Sequence, residues 1–149
     1  MNATLHNLAL MTHLVGAVLW IGGSVVAGLA ATDIARSLSH GRSTALSAIR
    51  RTMLRVVTPG LLLAWVGGLT MFIGEIGVYR SAGWLHTKIT VALVLAALTG
   101  VLPARLRRAA RVDATVAVPE LGTIRTLTLL IVLGVLAVLY LAVWRAVVP

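Results

Sequence analysis

The sequence predicts an all-α integral membrane protein, a four-helix bundle in which residues 1–149 form a single transmembrane domain. Hydrophobic residues make up 59% of the 149 residues and charged residues only 11%, whereas about a quarter of the residues in a soluble domain are charged. Four apolar runs, at about 6–31, 52–78, 82–104 and 120–147, each exceed the ~20 residues that a helix needs to cross the hydrocarbon core. The runs are rich in Leu, Ala and Val and lack the alternating pattern of barrel strands, so we expect helices.

The distribution of arginines predicts the orientation of the bundle. The N-terminal tail has no Lys or Arg and the second connection has only Arg80. The first and third connections hold most of the others: Arg36, Arg42, Arg50, Arg51 and Arg55, then Arg105, Arg107, Arg108 and Arg111. The positive-inside rule therefore places both termini on the extracytoplasmic side of the cell (inner) membrane, as a multi-pass protein. Topology and anionic headgroups explain the net charge of +9, so nucleic acid is not an expected partner.

Two absences narrow the class further. The first run lacks a basic leading segment and its apolar stretch is long, so we expect a spanning helix rather than a cleavable signal peptide. The chain contains no cysteine, which excludes disulfides, iron–sulfur ligation and thiolate metal sites.

Small residues recur at every fourth position in the second and third helices: Gly60, Ala64 and Gly68, then Ala92, Ala96 and Gly100. This spacing lets helix backbones approach closely in lipid, either within the bundle or between protomers. A homo-oligomer, or a place in a larger membrane complex, is therefore expected as an alternative to a monomer. Pro59 is tolerated if it falls in the first turn of the second helix; if that helix begins earlier, a kink is expected.

The candidate site consists of ionisable residues at membrane depth, which usually mark function. His13 lies roughly 12 Å below the start of the first helix and His86 roughly 7 Å below the start of the third, at 1.5 Å per residue. Two imidazoles at similar depth on different helices are what bis-imidazole haem ligation requires. We therefore expect His13 and His86 to be the metal ligands of haem b, although each histidine could instead hydrogen-bond a neighbouring helix. His6 lies on the same face as His13, and which of the two is the ligand stays open.

Lys88 is expected to complete this site, and it is the only lysine in the chain. It can extend to the membrane surface, pair with Glu75, bind an acidic group such as a porphyrin propionate, or transfer protons. Trp20 and Trp65 lie too deep for an interfacial belt, so they either pack the bundle or line a cofactor pocket. Trp84 fits the belt, and we include Trp20 and Trp84 in the cofactor site.

Copper is the competing metal. Met11 and Met71 lie toward the same outer half as the histidines, and thioether with imidazole suits Cu(I). In the short outer turn, Tyr79 and Arg80 are expected to be ordinary interface residues. A third possibility is a non-catalytic accessory subunit of a membrane complex.

Three segments resemble a known family. His13 followed by Trp20-Ile21-Gly22-Gly23 resembles the first-helix signature of the HemJ-type protoporphyrinogen IX oxidases, and its Trp-x-Gly-Gly is also similar to CopD-type copper-resistance membrane proteins. Residues 50–55, with Thr58-Pro59 and Gly67-Gly68, are similar to the segment that enters the second HemJ helix. Trp84-Leu85-His86-Thr87-Lys88 closely resembles the Trp-x-His-x-Lys element of the next helix. The chain would be a divergent member.

The resemblance implies a small bundle that holds b-type haem. The histidine that matches His13 would be a ligand, and the lysine that matches Lys88 would be needed for catalysis. In HemJ-type proteins the activity is the six-electron oxidation of protoporphyrinogen IX, with electrons passed to quinone. Porphyrin, quinone and the lipid bilayer are therefore the expected partners, and the CopD likeness keeps copper handling open.

Overall fold

The computed structural model describes residues 1–37, 41–80, 82–111 and 118–147. Every long element in these ranges is a helix, and four helical stretches are long and apolar enough to cross a membrane. They are Ala3–Ile34, Arg42–Gly74, Gly83–Arg111 and Gly122–Leu141. The predicted all-α architecture, with four helices long and apolar enough to span a membrane, is thus confirmed. The side chain of Arg36 lies outside what the structure describes.

The helices extend further at their arginine-rich ends than hydropathy indicates. The first stretch comprises α1 (Ala3–Ala17), a π-helical turn (Val18–Gly22) and α2 (Gly23–Ser37). The second comprises α3 (Arg42–Thr52), a π-helical turn (Met53–Val57) and α4 (Thr58–Gly74). The short α5 (Ile76–Tyr79) follows, then α6 (Gly83–Arg111) and α7 (Val118–Val147). Much of the expected first connection is therefore helical, since α3 begins at Arg42 rather than near residue 52.

Pro59 explains the π-helical turn in the second stretch. Proline has no N–H to donate to the carbonyl four residues earlier, and its ring crowds that carbonyl. The backbone N–H of Thr58 donates instead to the carbonyl of Met53, five residues earlier. The Thr58 hydroxyl also donates to this carbonyl at 3.4 Å. The helical stretch therefore begins before Pro59 and continues past it. A kink was expected for such an early start, and the structure has a π-helical turn there instead.

The closest backbone-to-backbone approach of two helices is the seam between α1 and α4. A Cβ added to Gly67 would lie 2.5 Å from the backbone nitrogen of His13, and one added to Gly60 would lie 2.8 Å from that of Trp20. Ala64 is buried between them and contacts the backbone at Gly16. The small residues of the second helix thus pack within the chain, as one of the two expected arrangements requires.

The third-helix series of small residues behaves differently. Ala92 and Ala96 pack against the core, but Gly100 is exposed, and a Cβ added there would meet nothing within 4 Å. The close approach of α6 to α7 depends instead on Gly134, where an added Cβ would lie 2.5 Å from Cδ2 of Leu95.

The two ends of the bundle are packed unequally. We call the end with Ser37, Arg42, Arg111 and Val118 the arginine end, and the opposite end the Glu75 end. Toward the arginine end α2 packs on α7 and α3 on α6, and the fully buried side chains cluster there: Leu46, Leu102, Leu106 and Ile124. Toward the Glu75 end, the described residues of α4 and α6 leave a cavity between them.

Candidate functional site

The cavity toward the Glu75 end has a volume of about 420 Å³ and is lined by α1, the first π-helical turn, α4, α5 and α6. Most of its wall is apolar and aromatic: Trp20, Trp65, Phe72, Tyr79 and Trp84. His13 and Lys88 add an imidazole and an ammonium group to this wall. Mostly apolar clefts of ~300–1,000 Å³ with a few polar groups are the usual form of small-molecule sites.

His13 is held in the cavity wall by a hydrogen bond across the α1–α4 seam. Its Nδ1–H donates to the carbonyl oxygen of Ala64 at 2.6 Å. Glycine makes this approach possible, because a Cβ added to Gly68 would lie 3.0 Å from Nδ1. Since Nδ1 carries the proton, the neutral ring keeps its lone pair on Nε2. A backbone carbonyl on one ring nitrogen is the usual way in which a protein orients a metal-binding histidine.

His86 does not join His13. Its side chain is exposed, its Nδ1–H donates to the carbonyl oxygen of Ala82 at 3.0 Å, and it does not line the cavity. Helix geometry gives the reason, because residues two apart point about 200° from each other around the axis. Lys88 faces the cavity, so His86 faces away, and the expected pairing of the two imidazoles is not observed.

Trp84 and Lys88 share one face of α6, because residues four apart are neighbours on a helix. Both line the cavity. Trp84 therefore belongs to the cavity as well as to the end of the helix, where belt anchoring was the default expectation. Within the Trp-x-His-x-Lys element, Trp84 and Lys88 line the cavity and His86 lies outside it.

Lys88 is half-buried, and no described side chain gives it a hydrogen-bond or ion-pair partner. The alternative in which it pairs with Glu75 is not observed. Glu75 instead pairs with His6, whose Nδ1–H donates to Oε1 of the carboxylate at 3.0 Å. His6 therefore holds the start of α1 against the end of α4. From the sequence it was an alternative to His13 as a ligand.

Tyr79 contacts both the His6–Glu75 pair and the cavity. Burial, then the negative charge of Glu75 and the hydrogen bond that the phenol donates to that carboxylate, raise the pKa of Tyr79 above its ordinary value. The residue also lines the cavity. It was expected to be only an interface residue, and nothing in its sequence neighbourhood indicated otherwise, since its role depends on the turn after α4.

Trp20 packs in the bundle and also lines the cavity. It is 5% exposed, its Nε1–H donates to the hydroxyl of Thr99 at 3.1 Å, and it lines the cavity. Trp65 and Phe72 were not included in the predicted site, although the seven-residue spacing of two aromatics on one helix face was a usable signal.

The cavity has few side chains that could bind a metal ion. Among the side chains that the structure describes, no group of three or more His, Asp or Glu residues could hold a metal ion. Met71 lines the cavity with His13, whereas Met11 is 60% exposed. The cavity thus offers one imidazole and one thioether, which suits a cofactor that brings most of its own ligands better than a bare ion.

Comparison of the chain with known protein families, curated proteins and solved structures gave no match. The fold and the cavity define a small helical protein with four apolar helices, compatible with a multi-pass membrane protein. The likeness to HemJ-type and CopD-type proteins stays a prediction that depends on the motif residues alone.

Proposed function

We propose that the chain is a membrane protein that binds b-type haem in the cavity, with His13 as the iron ligand. The observation that supports this best is the hydrogen bond from His13 to Ala64, which commits Nδ1 and reserves Nε2 for a ligand. A haem supplies four nitrogens of its own, so one protein imidazole is enough for attachment. When bound, the iron supplies one-electron redox chemistry.

The walls of the cavity suit a porphyrin. Aromatic side chains offer flat apolar surfaces to a planar macrocycle, and the volume of about 420 Å³ lies in the range of small-molecule sites. The ammonium group of Lys88 has no partner among the described side chains and can bind a carboxylate through a charge-assisted hydrogen bond. In this proposal Lys88 binds a porphyrin propionate, which is one of the roles that its charge allows.

The proposed setting is the cell (inner) membrane with both termini outside. The arginines of α3 and of the last turns of α6 lie at the arginine end, which favours that end as the cytoplasmic one. The cavity then lies in the extracytoplasmic half of the bilayer. From the HemJ likeness we propose protoporphyrinogen IX oxidation or electron transfer to quinone as the redox function.

The test is an absorption spectrum of the purified protein after expression with ample haem, first oxidised and then reduced with dithionite. We expect a haem spectrum for the wild type and a large loss of bound haem for His13→Ala. His86→Ala is the matched control and should keep its haem, because His86 lies outside the cavity. A colourless wild type, or equal loss in both variants, would contradict this arrangement.

Lys88 is tested in the same preparation. Lys88→Ala should lower haem occupancy, and Lys88→Arg should restore most of it, because either cation binds a carboxylate. Occupancy that is equal in all three proteins would remove Lys88 from the haem site.

Copper binding is the second candidate, and the presence of Met71 with His13 in one cavity favours it. Equilibrium metal analysis of the purified protein separates the two proposals. Stoichiometric copper without porphyrin would favour copper, whereas porphyrin without copper would remove this candidate.

A further inference from the structure

A second groove lies at the arginine end, between α3 and α6. It has a volume of about 550 Å³ and is separate from the cavity that holds His13. One wall is a single face of α6, because the residues that line it follow helical spacing: Gly100, Pro103, Ala104, Arg107, Arg108 and Arg111. Arg50 of α3 forms the other wall.

The four guanidinium groups of this groove have no counterion among the described side chains. None of them makes an ion pair there, and no aspartate or glutamate of the described residues lines the groove. Arginine stays charged at every physiological pH, so the groove gathers four positive charges, three of them on exposed side chains of α6 and one on the half-buried Arg50. Guanidinium groups bind phosphate through paired hydrogen bonds, which makes phosphate the best-matched anion.

Orientation and the helix dipole account for arginines at the end of α6 but not for the shape of the groove. Arginines in a last turn favour a cytoplasmic location and offset the partial negative charge at the end of the helix. Neither effect requires Arg50 to converge from another helix. At the other end of the groove Gly100 is exposed, and an added Cβ there would meet nothing within 4 Å.

The groove is polar at one end and apolar at the other. Gly100, Pro103 and Ala104 form an apolar floor, and the arginines follow on the same face toward the end of the helix. From Gly100 to Arg111 the helix rises about 16 Å at 1.5 Å per residue. The floor lies within a helix that is apolar enough to cross a membrane. A molecule that fills the whole groove is therefore itself amphipathic, with a phosphate at one end and a hydrocarbon chain at the other.

We propose that this groove is a binding site for an anionic phospholipid, with the phosphate between Arg50 and the α6 arginines and an acyl chain over Gly100. Basic pockets between helices on the cytoplasmic side of a membrane are the kind of site that binds acidic headgroups. The site is independent of the haem proposal, because it shares no lining residue with the other cavity.

The test is native mass spectrometry of the full-length protein in detergent, titrated with phosphatidylglycerol and with phosphatidylcholine of the same acyl chains. Wild type should bind phosphatidylglycerol at least about tenfold more tightly, since several basic residues surround its anionic headgroup. The variant Arg107→Gln/Arg108→Gln/Arg111→Gln should lose that preference. Its matched control, Arg51→Gln/Arg55→Gln/Arg125→Gln, removes the same charge from exposed positions outside the groove and should keep it.

Gly100→Leu provides a variant in which every arginine remains. The new side chain has room in the open space, so the protein should fold, and it should weaken phosphatidylglycerol binding by occupying the floor. Equal affinity for the two lipids, equal effects of the two triple variants, or unchanged binding by Gly100→Leu would overturn the proposal. Displacement of the lipid by inorganic phosphate at comparable concentration would assign the site to a soluble anion and overturn it as well.

Discussion

The hydrogen bond from His13 to Ala64 determines what this imidazole can do. A carbonyl oxygen can only accept, so Nδ1 bears the proton and Nε2 is left as the acceptor. The sequence indicated His13 by its depth, but it could not indicate the partner, because Ala64 offers only a backbone atom and any residue could stand there. The glycine at Gly68 was the available sign that the ring passes close to α4.

His86 shows where depth alone misleads. Depth in the membrane depends on the distance along the helix axis, whereas contact depends on the angle around it. Trp84 and Lys88 lie on the same face of α6 and His86 lies on another. The first two therefore line the cavity and His86 does not. The same helical spacing, applied to the sequence, would have separated His86 from Lys88.

Glu75 is one of the causes of the raised Tyr79 pKa, and its effect can be measured. The variant Glu75→Gln, made with Tyr140→Phe so that Tyr79 is the only tyrosine, should lower the Tyr79 pKa because a negative neighbour is removed. Burial remains, so the pKa should stay above the ordinary value of about 10. The ultraviolet absorbance of tyrosinate during a pH titration measures it. An unchanged titration would show that Glu75 does not act on Tyr79.

The sign of the associated stability change follows from the direction of the shift. A raised pKa means that the folded protein holds the phenol proton more tightly than the unfolded chain does. The contribution of Tyr79 is therefore fully present below a pH of about 10, and it is lost as the pH rises through the folded value.

Among the elements, the α1–α4 seam is the most constrained. Gly16, Gly60, Ala64 and Gly67 bring the two backbones together, and van der Waals packing of this kind is a main source of helix association in lipid. Small residues at every fourth position predicted that the second helix makes a close contact with another helix. This spacing could not predict that α1 would be the partner or that Gly67, outside the series of every fourth residue, would also lie in the contact.

Gly67→Ala tests the seam. The added methyl would overlap the backbone of His13, so the helices must separate, and we expect a loss of roughly 1–3 kcal/mol in the free energy of unfolding. Gly100→Ala is the control, because its methyl meets open space and alanine is the better helix former. Unfolding in mixed micelles, followed by circular dichroism, compares the two. Equal stabilities would show that the seam is not closely packed.

The two π-helical turns differ in how far the sequence explains them. The turn Met53–Val57 follows from Pro59 and its missing N–H, once α3 is known to begin at Arg42. That early start was hidden because α3 is rich in arginine and hydropathy records only the apolar part of a helix. The turn Val18–Gly22 has no proline after it, and we have no sequence-based account of it.

At the scale of the whole molecule, charge and packing are distributed unequally between the two ends. The arginine end has the fully buried core and the basic groove, and the Glu75 end has the open cavity with His13 and Lys88. Large apolar side chains are exposed along the helices, as expected of surfaces that face lipid: Leu8, Leu62, Leu93, Leu133 and Leu139. Composition predicted this surface well, because lipid contact needs only hydrophobicity and no specific partner.

The orientation of the bundle gives the last prediction. The chain has no cysteine, so single-cysteine variants report topology without a background. Thr4→Cys should react with a membrane-impermeant maleimide added to intact cells, and Ser43→Cys should react only after the cells are opened, because arginine-rich ends stay inside. Both positions are exposed. Labelling of Ser43→Cys in intact cells would reverse the proposed orientation.

The α1–α4 seam also limits how this cavity can be altered by evolution or by engineering. An added methyl at Gly67 would overlap the backbone of His13, so the wall that presents His13 can change only at a cost in stability. The facing wall on α6 has ordinary side chains at Leu85, Ile89 and Ala92, each only half-buried. Changes in the shape of the cavity should therefore arise from substitutions on α6, while the imidazole stays at a fixed position.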